Sequence, residues 1–209
     1  MRRRQRQPQP FTVRYTPVAT DGSLDQVLAI TNNTEVSVKP TLRLTPRNMY
    51  GHELPHVTVV GVNGSHLGNA VLPAGGTLTD VLRFDGQGFR QARGVDIELA
   101  AVEEIDFPAL EEPVKTVMID LDQKATADPV DFWGIGVVNP NPFGVTMRIS
   151  LVKLEEERDG DNPRQVEDVV TLQEDVDMAS VSNHVIWLPE DVRGHFDDVV
   201  HCLVPETFT

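Results

Sequence analysis

LAITNNTEVSVKPTLRL, from Leu28 to Leu44, and IGVVNPNPFGVTMRISL, from Ile135 to Leu151, decide how the chain is read. Laid over one another without gaps, they put Asn32 on Asn139. Leu28 then meets Ile135, Ile30 meets Val137, Val36 meets Phe143, Val38 meets Val145, Leu42 meets Ile149 and Leu44 meets Leu151. Apolar falls on apolar at alternate positions on both sides of an Asn-rich turn. Successive strand side chains point to opposite faces, so this alternation predicts a strand, a tight connection and a second strand. Each strand keeps one face in a core, and the unit occurs twice.

Working outward, each copy continues with short apolar runs between turn residues. The first has HVTVVGV, the LPAGG turn (Leu72–Gly76), TLTDVLRF and VDIELAAV; the second has VEDVVTL, VSNHVIWL and DVVHCLV, with a turn at Asp159–Gly160. FTVRYTPV and VKTVMIDL open the two copies. Short strands separated by Gly, Pro, Asn and Asp turns predict an all-β fold of two tandem immunoglobulin-like antiparallel β-sandwich domains. The expected organisation is a flexible basic arm over 1–10, a first sandwich over 11–104, a linker over 105–113 and an acidic second sandwich over 114–209. IDFPALEEP, with two prolines, suits an extended linker. One helical turn is expected near LPEDVRGHF; the chain's fifteen prolines disfavour long helices.

VVNPNPFGVTMRISLVKLEEERDG, residues 137–160, resembles the strand–NPN–strand signature of LEA14-type, water-stress WHy domains. The first copy keeps TNNTEVSV without the two prolines. The layout of both copies also resembles bacterial FxLYD-type modules. These resemblances imply an immunoglobulin-like sandwich and, for the LEA14/WHy family, a soluble stress-protective or accessory role. The asparagine has a structural use in such a turn, since its side chain can bond nearby backbone and it tolerates a left-handed conformation.

Charge is distributed unevenly over the 209 residues. The chain carries −14 overall; residues 1–120 hold 12 basic and 14 acidic side chains, residues 121–209 hold 6 and 18. An acidic body repels phosphate backbones, so nucleic-acid binding through the folded part is not expected. The single cysteine, Cys202, excludes an internal disulfide framework. No apolar run follows the N-terminal arginines and none reaches a membrane-spanning length, so neither a secretory signal nor a membrane span is expected. A cytoplasmic or virion location is favoured over secretion.

His52-Glu53-Leu54-Pro55-His56 is a literal HExxH. Zinc proteolysis needs both histidines on one helical face, and Pro55 would break that helix, so the segment is read as a polar hairpin loop. The acidic loop Glu155–Asn162 could offer calcium oxygen ligands, but it lacks EF-hand spacing and reads as a solvated turn. Asp120/Asp122 and Asp128/Asp131 are weaker candidates for oxygen ligation. His201 and Cys202 are adjacent on a strand and point to opposite faces. His184 and His195 have no partner at ligand spacing. Asn32 and Asn63 sit in N-x-[ST] sequons, and Trp133 and Trp187 are expected in the core or on a sheet face. No catalytic, cofactor or metal site emerges, and the chain is read as a non-enzyme.

Arg2, Arg3, Arg4 and Arg6 are the residues assigned a binding role. They are followed by QPQP and cannot pack a core, but they can lie on an acidic surface of a neighbouring copy. The expectation is therefore a structural or interaction protein within a larger homo-oligomeric assembly, such as a capsid-associated or decoration protein or a surface-layer component. A LEA14/WHy-like accessory protein and an extracytoplasmic binding module are the alternatives.

Overall fold

The computed structural model describes residues 9–16, 26–127, 132–154, 166–196 and 202–209. The chain is all-β, with antiparallel pairing throughout the described ladders. Its first half contains β1 (Phe11–Thr16), β2 (Gln26–Asn32), β3 (Val38–Asn48), β4 (Val57–Gly61), β5 (Thr77–Gly86), a 3-10 turn (Phe89–Gln91) and β6 (Ala92–Glu104). The second half contains β7 (Lys115–Ile119), β8 (Gly134–Asn139), β9 (Val145–Leu154), β10 (Val166–Met178) and β11 (Ser182–Trp187). It ends with α1 (Glu190–Phe196), β12 (Cys202–Leu203) and β13 (Thr207–Phe208). No helix among the described residues is long and apolar enough to cross a membrane.

Four sheets result. In the first half β1-β2-β5-β4 faces the two-stranded β3-β6; in the second, β11-β8-β7 faces a sheet in which β9 pairs with β10 on one side and with β12 and β13 on the other. Period-two burial drives both pairings. Along β2, Leu28 and Ile30 turn inward and are fully buried, meeting Leu42 of β3, Leu78 and Leu82 of β5, and Val95 of β6. Along β9, Val145, Met147, Ile149 and Leu151 meet Ile135 and Val137 of β8, Ile186 of β11 and Phe208. Each half thus removes its own apolar stripes from water, the main favourable term in folding.

The two quoted stretches take the same structure. β2 ends at Asn32 and β8 at Asn139; β3 begins at Val38 and β9 at Val145. The Asn turn carries the chain from one sheet to the facing one. Asn32 Nδ2 donates to the carbonyls of Val36 (2.8 Å) and Pro73 (3.2 Å), while its Oδ1 accepts from Thr34 N–H. Asn139 Nδ2 donates to Phe143 (2.8 Å) and Ala179 (2.9 Å), and its Oδ1 accepts from Asn141 N–H. Both asparagines are fully buried. Neither has a positive φ, so the residue acts through its side-chain amide and not through a left-handed backbone. The Val36–Phe143 match fails in one respect: Val36 is 43% exposed, whereas Phe143 packs on the second core against Phe107.

The segment 105–113 carries no strand, and it is packed. Ile105, Phe107 and Leu110 lie against the second core, Ser37 Oγ donates to the Phe107 carbonyl, and Asn141 Oδ1 accepts from Glu111 N–H. The helical turn near LPEDVRGHF is α1. Trp133 precedes β8 under the Arg193 guanidinium (3.7 Å), and Trp187 lies on β11, 46% exposed. The turn Asp159–Gly160 is outside the described residues.

Candidate functional site

A dense polar constellation lies where the halves meet. TLTDVLRF alternates apolar residues except at Asp80, which shares the inward face of β5 with Leu78 and Leu82 and is fully buried. A bare carboxylate there would be expensive to desolvate, so donors must surround it. The loop after β4 provides them. Asp80 Oδ1 accepts from the backbone N–H of Asn63 (2.7 Å) and Val81 (2.7 Å), and Oδ2 accepts from the N–H and hydroxyl of Ser65. Gly61 closes the loop at a point where a Cβ would run into the Asp80 carboxylate and Ser65 Oγ.

That loop also grips the second half. Asn63 Nδ2 donates to the Thr79 carbonyl and its Oδ1 accepts from the Ser150 hydroxyl of β9 (2.9 Å). Arg148 Nη1 donates to the Val62 carbonyl (3.0 Å), and its other terminal nitrogen pairs with Glu174. Arg83 donates to the Val169 carbonyl at 3.1 Å. Beside these bonds, Val27 and Val81 of the first half pack with Val152, Val166 and Val169 of the second. A two-residue switch completes the seam: Leu72 bridges to Val38 and sits in the first core, while Val71 bridges to Phe208 and sits in the second.

Ser65 and His66 of the loop after β4 lie beside Asp80 of β5, but not as an acyl-transfer triad. Ser65 is fully buried and donates to Asp80, while His66 Nδ1 accepts from Gly61 N–H (3.0 Å). Desolvation lowers the His66 pKa, against the opposing pull of Asp80. The imidazole is a backbone acceptor and not the base of a hydroxyl. Next to the junction, a polar cleft of about 400 Å³ is lined by Lys39, Asn69, Thr146, Arg148, Asp175 and Thr209. Its charges are mixed, and Arg148 is already committed to Val62 and Glu174.

The residues singled out from sequence are dispersed. Arg2, Arg3, Arg4 and Arg6 lie outside the described residues, as do Glu155–Asp161, Asp128, Asp131, His201 and the side chains of His195 and Cys202. His52-Glu53-Leu54-Pro55-His56 forms a turn between β3 and β4 with no helix; His52 and His56 are exposed and Glu53 reaches Arg47 at 3.9 Å. Asp120 and Asp122 hold a tight turn, with Asp120 accepting from Lys124 N–H and Asp122 pairing with the Lys124 ammonium. His184 is exposed on β11. Both sequon asparagines are buried and hydrogen-bonded, so neither amide is open to modification in the folded chain. Among the described residues, no three His, Cys, Asp or Glu side chains converge as a metal would require.

Asp80, Ser65, Arg148 and Ser150 were not singled out from sequence, and Asn63 was noted there only as a sequon. One signal was present: a lone aspartate at an inward position of an otherwise apolar strand demands a nearby set of donors. Compared with known proteins, the chain matches no protein-family model and no curated protein.

Proposed function

We propose that this chain is a non-enzymatic building block of a larger assembly, made of two immunoglobulin-like sandwich domains locked to one another. The observation that carries this reading is the junction. The serine, histidine, aspartate and arginine groups from which a reactive site would be built are instead bonded to one another and to backbone between the halves. A joint bonded in this way holds two sandwich units in one orientation, which a repeating assembly needs and a flexible two-domain receptor does not. The LEA14/WHy and FxLYD resemblances support the sandwich fold. The matched hydrogen bonds of Asn32 and Asn139 add to it, since a shared turn chemistry is what repeated domains would keep.

In this reading the arginines at positions 2, 3, 4 and 6 of one copy tie to the acidic second half of another. The test is the solution mass of the full chain, and of the chain lacking residues 1–10, at low and high salt. A salt-sensitive oligomer that collapses on deletion is expected, because exposed charge pairs are screened within about 10 Å at 0.1 M salt. A 23.2 kDa monomer in every condition would remove the proposal.

A further inference from the structure

One of the strand edges of the first half is that of β6. β6 is 13 residues long and, among the described residues, pairs with β3 alone, so its other edge carries backbone donors and acceptors that no described strand pairs with. The facing sheet ends at β1, and the seam between β1 and β6 is incompletely covered. Val13, opposite the fully buried Ile30, is 41% exposed; Val102, opposite the buried Pro40, is 40% exposed. Both point inward. The Tyr15 hydroxyl is buried in this seam against the Val95 backbone without a well-formed hydrogen bond. In the second half the position of Val102 is taken by Phe208, which is 1% exposed.

We infer that this edge is an interface with a second copy of the chain, two β6 strands pairing antiparallel about a two-fold axis near Glu98–Leu99. The strand's charges are self-complementary. Asp96 is neutralised within the copy by Arg47 (2.8 Å) and Glu98 by Arg43 (3.1 Å). Arg93 at one end, whose Nη1 donates to the Arg90 and Ala92 carbonyls, and Glu103 and Glu104 at the other have no ion-pair partner among the described residues. A two-fold pairing places Arg93 of each copy opposite Glu104 of the other and Val95 opposite Val102. It joins two two-stranded sheets into one of four strands and covers both seams. Shared strand edges of this kind supply main-chain hydrogen bonds, with side chains at the ends setting register. The inference rests on the assembly reading and deepens it.

The test is a concentration series by sedimentation velocity on the full chain, with melting curves confirming that each variant folds. Dimers are expected for the parent chain. Val102→Lys and Arg93→Glu should each weaken the dimer about tenfold or more, and Arg93→Glu combined with Glu104→Arg should restore it. Dimers indifferent to all three substitutions overturn the inference. If such an oligomer is lost only on deletion of residues 1–10, the arm-tied assembly stands and the β6 edge falls. A monomer at every concentration overturns both, and assigns the seam to a strand from a different protein or to none.

Discussion

β3 and β9 begin at equivalent positions of the two repeats, yet one is bordered on one side and the other on both. β9 pairs with β10 from Val145 to Leu154. Among the described residues, the far side of β3 is met only by isolated bridges at its two ends, Val38–Leu72 and Arg47–Glu53, and the strand that could have filled the gap, β4, pairs with β5 in the opposite sheet. The physical cause is in the sequence. Val38 exchanges both backbone bonds with Leu72, so alternate residues of β3 aim their backbone groups the same way. Pro40 and Pro46 fall on that alternation and have no N–H to give. β9 carries Met147 and Lys153 at the equivalent places. Two prolines thus send the following chain to another sheet, and the junction loop 61–70 fills the space that β10 fills in the second half.

That contrast can be broken most severely at its sealed end. Phe208→Ala removes a fully buried ring and should cost about 3–5 kcal/mol in denaturant unfolding, whereas Val102→Ala at the equivalent open position should cost well under ~1 kcal/mol in the monomer. Equal costs would mean that the repeats are not closed differently. Next in size is Asp80→Ala, which strands the donors of Asn63, Ser65 and Val81 in a dry site and should cost about 3 kcal/mol. Its effect should appear in the coupling between halves, as loss of a single cooperative transition.

Asn32→Ala and Asn139→Ala sharpen the shared part of the comparison. Each abandons two buried carbonyls and should cost about 2 kcal/mol, with the two values close to one another. Asn→Asp at either place should be no milder, because a carboxylate cannot donate. The smallest effect concerns pH. His66 is held neutral by desolvation, with its folded pKa below the ordinary value, so it stabilises the fold above about pH 6.5 and that stability is lost as pH falls. Protonation also removes the acceptor for Gly61 N–H. A melting-temperature profile should drop more steeply below this pH in the parent chain than in His66→Gln.

Much of the strand layout could be read before the structure. The Leu28/Ile135 to Leu44/Leu151 match located β2, β3, β8 and β9, because period-two burial is a local property of the chain. The HExxH was equally open to judgement, since Pro55 forbids its helix whatever surrounds it. Val36 was misjudged as a partner of Phe143: both are apolar, but only Phe143 has Phe107 to pack on, and that neighbour arrives from outside the repeat. The linker segment is anchored at Phe107 by Ser37 and at Glu111 by Asn141, residues that flank or lie in the two Asn turns.

The order of strands along the chain, the two equivalent Asn turns and the uneven charge were determined by the sequence alone, because each depends on residues close together in it. The tertiary structure alone decided that Asn63 meets Ser150, that Arg148 reaches Val62 and that Val71 and Leu72 enter different cores. Those partners are separated by most of a repeat, and no local preference of either residue specifies the other. They meet because Asp80 must be hydrogen-bonded where it is buried, and the loop that satisfies it presents its remaining polar groups to the neighbouring sheet.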